Sequence, residues 1–280
     1  MSLALGLRRR PRRSGDPMPL PGFAALQGDG QCCYCERGGV DWTETPLGDV
    51  IGLIPARGGS TRVPRKALMH LGSAPLIEWT CASAVQSILL TRRVVITDDE
   101  EIAEYVRTVA EVHAEPPELA TDSVHDARYI GQCATALGCQ ASDILVLLRP
   151  TSPFRRSYDI DTVIRMMQAQ ADLAYSVRSV RPALEYPEKA YTEENGVLRP
   201  LSLDNAANGP SQVLRRAWYP SGYIDAVRVY MVTEMGTLDG WRIGKFETPT
   251  ERCVDIDTLE NWAEAERIVD AHGWTPGDVE

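Results

Sequence analysis

From Val50 onward, short apolar runs alternate with amphipathic stretches, and this alternation restricts the chain more than any other feature. Runs such as Val50–Pro55 and Asp143–Leu148 have strand length and strand composition, while the stretches between them carry the spacing of helices with one apolar face. Strands and helices in strict alternation select an α/β fold with a mostly parallel sheet. The pattern predicts strands at Val50–Pro55, Arg93–Thr97, near Val112, at Asp143–Leu148 and at Leu173–Val177. Helices are expected at about Leu76–Ile88, Glu100–Ala110, Ser123–Leu137 and Asp159–Gln170. Between Arg181 and Gly222 the alternation fails, and Pro182, Pro187, Pro200, Pro210 and Pro220 mark an irregular or hairpin-like insertion. Strands at Tyr223–Met231 and Trp241–Phe246 and a helix at Thr258–Ala271 then close the fold.

At 280 residues the chain holds one large domain, expected over 50–280, with a small excursion at 181–222. Residues 1–49, rich in Gly, Pro and Arg, read as a flexible extension. Arg8, Arg9, Arg10, Arg12 and Arg13 resemble the start of a targeting sequence, but Pro17, Pro19 and Pro21 interrupt the place of an apolar core. No run approaches a membrane span, so a soluble protein is expected. The net charge of −10 argues against a protein built to grip nucleic acid, while leaving room for a local basic pocket. Seven cysteines, odd in number and irregularly spaced, make no disulfide framework, so a reducing cytoplasm is expected. Cys32, Cys33 and Cys35 cluster, yet no second ligand pair stands at zinc-finger spacing.

Three segments carry chemistry. IPARGGSTRVPRK (Ile54–Lys66) directly follows a buried strand, where open α/β sheets place their ligands. Gly58 and Gly59 would let a phosphate approach the backbone, and Arg57, Arg62, Arg65 and Lys66 would neutralise it. A solvated basic turn is the other reading of this segment. LLRPTSPFR (Leu147–Arg155) offers the hydroxyls of Thr151 and Ser152 beside the crevice, with Arg155 as a bidentate anion clamp. Arg149 adds a permanent charge there, or pairs with a nearby carboxylate. In VDIDT, Asp255 and Asp257 alternate on an expected extended strand, so that both can hold one hard cation; an Asp-x-Asp capping the following helix is the alternative.

The run ARGGSTRVPRK resembles the opening motif of the acylneuraminate cytidylyltransferases, and its STRVP portion is similar also to the octulosonate branch. VITDDEEIAEYV, ELATDSVHDA, LLRPTSPFR and DIDT followed by an acidic helix resemble the later motifs of the same family. The resemblance implies a Rossmann-like three-layer α/β/α nucleotidyltransferase fold, a homodimer formed through the 181–222 insertion, and Mg²⁺ as cofactor. It implies transfer of CMP from CTP to an acidic acceptor, a sialic-acid-like nonulosonic sugar acid, with pyrophosphate released. By the same resemblance, Arg57, Lys66 and Asp257 are catalytic. Ala56, Arg57, Gly58, Gly59, Ser60, Lys66 and Asp126 bind the nucleotide, Arg149, Thr151, Ser152 and Arg155 the acceptor, and Asp255 and Asp257 the metal. The chain departs from the family where Ala67 replaces Asn, Glu115 replaces Arg, Arg149 replaces Gln and Asp225 replaces Tyr. A phosphonate or other anionic acceptor, and a nucleotide-binding relative without turnover, are the competing readings.

Overall fold

The computed structural model describes residues 48–59, 63–115, 126–169, 176–202, 210–240 and 242–277. In chain order the strands are β1 (Val50–Pro55), β2 (His70–Leu71), β3 (Ala74–Pro75), β4 (Arg92–Thr97), β5 (Glu111–Ala114) and β6 (Ile144–Leu147). They continue with β7 (Ser176–Pro182), β8 (Tyr191–Glu194), β9 (Val197–Pro200), β10 (Trp218–Arg228) and β11 (Ile243–Glu247). The helices are α1 (Leu76–Gln86), α2 (Glu100–Val106), α3 (Asp126–Ala136), α4 (Ser157–Ala169), α5 (Val229–Thr233) and α6 (Leu259–His272).

Seven strands form one sheet in the order β11-β7-β10-β6-β1-β4-β5, in which β10 runs antiparallel to both its neighbours. The other pairings, β1 with β4 and β6, β4 with β5, and β11 with β7, are parallel. Side chains alternate across this sheet with the period of two that a pleat imposes. Val50 and Ile54 of β1 join one core cluster with α1, α2 and α4, while Ile51 and Leu53 join a second with α3 and α5. Both faces are therefore covered by helices, which gives the α/β/α layering expected from the sequence. A third cluster packs α6 through Trp262, Ala265 and Val269 against Leu71, Trp79, Phe154 and Ile256.

Several boundaries differ from the sequence pattern. Strand β7 runs on to Pro182 and β10 begins at Trp218, so the core sheet reaches into the proline-marked segment from both sides. Pro220 is tolerated because the first part of β10 pairs with β7 alone, so its missing N–H leaves no ladder bond open on a second side. Between these strands β8 and β9 form an isolated hairpin. The expected strand to Met231 stops at Arg228, where the chain turns into α5. Helix α2 ends at Val106, four residues early, with Val109 and Ala110 bonding back to the Val106 carbonyl. Among the described residues, no helix is long and apolar enough to cross a membrane. The extension before residue 48, with its arginines and Cys32, Cys33 and Cys35, lies outside the described residues, as do Ser60, Arg62 and the segment 116–125.

Candidate active site

The carboxyl ends of β1 and β6 open into a cleft of about 290 Å³. Six residues singled out by sequence line it: Ala56, Arg57, Lys66, Asp126, Arg149 and Thr151. They come from four separate segments, brought together because β1 and β6 are adjacent parallel strands ending on the same edge.

Arg57 is held from below. Its Nε donates to Glu115 Oε1 at 2.6 Å, and its guanidinium lies over the Tyr129 ring, 5.1 Å from the centroid. The Glu115 side chain is 0% exposed. Burial raises the Glu115 carboxyl above the usual glutamate range, and the Arg57 bond opposes that rise without cancelling it. Neither Glu115 nor Tyr129 was singled out as an Arg57 partner by sequence reasoning. An acid just past the end of β5 carries no local signal that it will meet an arginine 58 positions earlier.

The described part of the glycine loop, up to Gly59, is tied to the acidic end of β4. The Gly58 amide donates to Asp98 Oδ1 at 2.8 Å. A Cβ at Gly58 would stand 2.8 Å from Asp99 Cβ, so glycine is required there by the close approach of the loop to the end of β4. Arg65 turns to Asp99 and Glu101 at 3.2 and 2.7 Å. Asp98 and Asp99 thus hold the loop, and Gly59 faces open space.

Lys66 Nζ donates to the Ile256 carbonyl at 2.5 Å and lies 3.4 Å from Asp257 Oδ1. The two aspartates do not alternate on a strand. Asp257 N donates to the Asp255 carbonyl, which makes residues 255–257 a three-residue turn. Ile256 at its centre is completely buried in the third cluster, and its amide donates to the Thr151 carbonyl at 2.8 Å. Burying such a side chain contributes about 1.5–3 kcal/mol, which anchors the acidic turn to the cleft floor. Helix α6 begins directly after it with a capping box between Thr258 and Asn261. Asp255 is open to solvent, yet the protein packed around it raises its carboxyl; a hydrogen bond from Thr151 opposes the rise, and neighbouring Asp257 adds to it.

Arg149 donates from Nη1 to Asp225 and from Nη2 to Asp126, each at 2.9 Å. Burial pulls this guanidinium down, but the two carboxylates outweigh it and leave it above the ordinary arginine value. Asp225 reaches the site because β10 is bulged between Pro220 and Asp225, with Gly222 at φ +71° inside the bulge. Ser152 is buried beneath this bulge.

A family model described as cytidylyltransferase matches residues 51–223, more than half of the chain. The chain belongs to the cytidylyltransferase family. The chain is 29% identical over 228 residues to N-acylneuraminate cytidylyltransferase B of Danio rerio, covering 79% of this chain and 52% of that protein. It is 34% identical over 143 residues to CMP-N,N'-diacetyllegionaminic acid synthase of Legionella pneumophila subsp. pneumophila, covering 48% of this chain and 58% of that one. The chain spans about half the length of the N-acylneuraminate relatives it matches. In fold it is similar to a CMP:2-keto-3-deoxy-manno-octonic acid synthetase solved with CTP, with TM-score 0.59 and 18% identity over 80% of this chain and 100% of that one. A 4-diphosphocytidyl-2C-methyl-D-erythritol synthase gives TM-score 0.53 and 13% identity, over 79% and 98% of the two chains. The nucleotidyltransferase fold that the resemblance implied is thereby confirmed.

Two residues expected at the acceptor, Ser152 and Arg155, are each 1% exposed and absent from the cleft lining. Arg155 Nε donates to the Tyr223 carbonyl at 2.6 Å, Nη2 to the Arg149 carbonyl at 3.0 Å and Nη1 to Thr80 at 3.3 Å. Burial brings its pKa down to about 10. An arginine whose donors are spent on two backbone carbonyls and a threonine hydroxyl ties the Arg149–Thr151 turn to β10 and has no fork to offer an acceptor.

Proposed function

We propose that this cytidylyltransferase transfers CMP from CTP to a sialic-acid-like sugar acid. The observation that carries the reading is a cleft lined by Arg57 and Lys66, with Lys66 bonded to the Asp255–Asp257 turn beside it. An acceptor hydroxyl forms the new bond to the α-phosphorus of CTP as the bond to pyrophosphate breaks. Arg57, kept in place by Glu115 and Tyr129, stabilises charge gathering on the phosphate oxygens without reorganising. Lys66 rests against the Ile256 carbonyl and Asp257, a position from which its Nζ meets phosphate while the turn keeps its shape.

The acidic turn fits Mg²⁺. The protein around Asp255 raises the cost of ionising its carboxyl and the nearby Asp257 adds to it, a cost that a divalent cation relieves. Among the described residues no group of three or more His, Cys, Asp or Glu is placed for a metal, and Mg²⁺ characteristically takes one or two carboxylates and completes its shell with water and phosphate oxygens. When bound, the ion supplies charge neutralisation at the phosphates.

The acceptor is read as a sugar acid with a single carboxylate. Arg149 is already balanced by Asp225 and Asp126, so it does not call for the additional charge of a phosphonate. Pyrophosphate release from CTP and Mg²⁺ should therefore require a sugar acid such as N-acetylneuraminate, stop with EDTA, and be weaker with phosphonates. A protein that bound CTP but released no pyrophosphate with any sugar acid would sink the proposal.

A further inference from the structure

An alternating run of charge crosses the β10 side of the cleft. Asp239 lies 3.5 Å from Arg178, Arg178 lies 3.5 Å from Asp225, and Asp225 and Asp126 each lie 2.9 Å from Arg149. The two carboxylates on Arg149 are unequal: the Asp225 side chain is 6% exposed, that of Asp126 is 67% exposed. A buried carboxylate stays with its cation, because separation would leave an uncompensated charge out of water. An exposed ion pair is weak and screened, and it exchanges readily with other anions. Asp225 also has a second tie, to the Ser179 amide and Arg178, whereas Asp126 is the first residue of α3 at the cleft's lip.

We propose that Asp126 is a resident stand-in for a substrate anion: on binding, a carboxylate or phosphate oxygen of the ligand replaces it on Arg149 Nη2, while Asp225 keeps Nη1. Asp126 is then a specificity-determining residue that sets how strong an anion must be to enter. The role is opposite in sign to the nucleotide contact expected from the sequence, since removing the Asp126 charge tightens binding instead of weakening it. The inference rests on the cytidylyltransfer reading only for the source of the anion, which is either CTP or the acceptor.

The test is calorimetry on the full chain with two probes, CTP alone and N-acetylneuraminate with CMP present. Asp126→Asn should lower the Kd of one probe about threefold, the size of a surface ion pair, and leave the other unchanged. The probe that responds identifies the source of the anion. Arg149→Gln should weaken that same probe, and Asp126→Asn added to it should give no further gain. The proposal is overturned if Asp126→Asn leaves both Kd values unchanged or raises them, if the gain persists without Arg149, or if neither probe binds. Pyrophosphate release is scored separately: binding without turnover sinks the transfer reading, while the two Kd values still decide this one. Because Asp126 is exposed, its substitution does not threaten folding, and Asp126→Ala provides a second variant with the same expected direction.

Discussion

At the β1 end of the cleft, Lys66 shares its ammonium between the Ile256 carbonyl and a half-exposed Asp257. Behind the β6 end, Arg155 spends its guanidinium on the carbonyls of Tyr223 and Arg149 and on Thr80, sealed from water. Both cations sit in motifs that read as phosphate or acceptor contacts, and both make hydrogen bonds within the protein. The difference lies in what a ligand can take over. Asp257 is 44% exposed, so water or phosphate can replace it at Lys66 at little cost. No anion reaches Arg155, and a break in its bonds would take the donor from the buried Tyr223 carbonyl and Thr80 hydroxyl. A basic residue in a motif is therefore functional or structural according to the exposure of its partner. By this criterion Arg149, with one buried and one exposed carboxylate, combines the two.

The comparison can be broken most directly at Lys66. Lys66→Met should reduce pyrophosphate release at saturating CTP by about 10²–10³-fold, the loss of roughly 3–4 kcal/mol of charge stabilisation in the transition state. Full turnover by this variant would make Lys66 as structural as Arg155. A smaller but opposite signature is expected from Arg155→Met, which takes the donor from the buried Tyr223 carbonyl and Thr80 hydroxyl and should cost about 2–4 kcal/mol in urea unfolding, with CTP affinity unchanged. Intact stability together with a raised acceptor KM would instead restore the clamp suggested by the sequence.

The smallest effect sharpens the description of the acidic turn. Asp255 has its carboxyl raised above the ordinary aspartate range, mainly by the protein around it, with Asp257 adding to the rise. Its stability contribution is therefore fully present below the ordinary aspartate range and is lost as pH rises through the raised value. Denaturation midpoints measured across that acidic window should show this loss in the wild type and not in Asp255→Asn. Added Mg²⁺ should oppose the trend, because a metal ligand must be ionised. Identical profiles for the two proteins would show that Asp255 does not titrate with a raised carboxyl.

Much of this molecule is legible along the chain. The period-two alternation of β1 places Val50 and Ile54 on one face and Ile51 and Leu53 on the other, and the structure follows it residue by residue. The glycine loop, the Thr151 turn and the Asp255–Asp257 segment were found as motifs, because each is a short run whose chemistry is written in adjacent residues. Their order on one sheet edge follows from parallel strands joined by helices.

Other features depended on contacts across the sheet. Arg149 meets Asp225 across 76 positions and Arg57 meets Glu115 across 58, and neither pairing is implied by spacing. They depend on which strands lie side by side and on a bulge that shifts the register of β10 before Asp225. The turn at Asp255–Asp257 likewise comes from Ile256 entering the third cluster, which overrides the extended conformation its flanking residues suggest. Local patterns specify local structure because neighbouring side chains share a face. The partner of a buried charge is chosen by tertiary packing, since only there is it decided which carboxylate comes within reach and which remains in water.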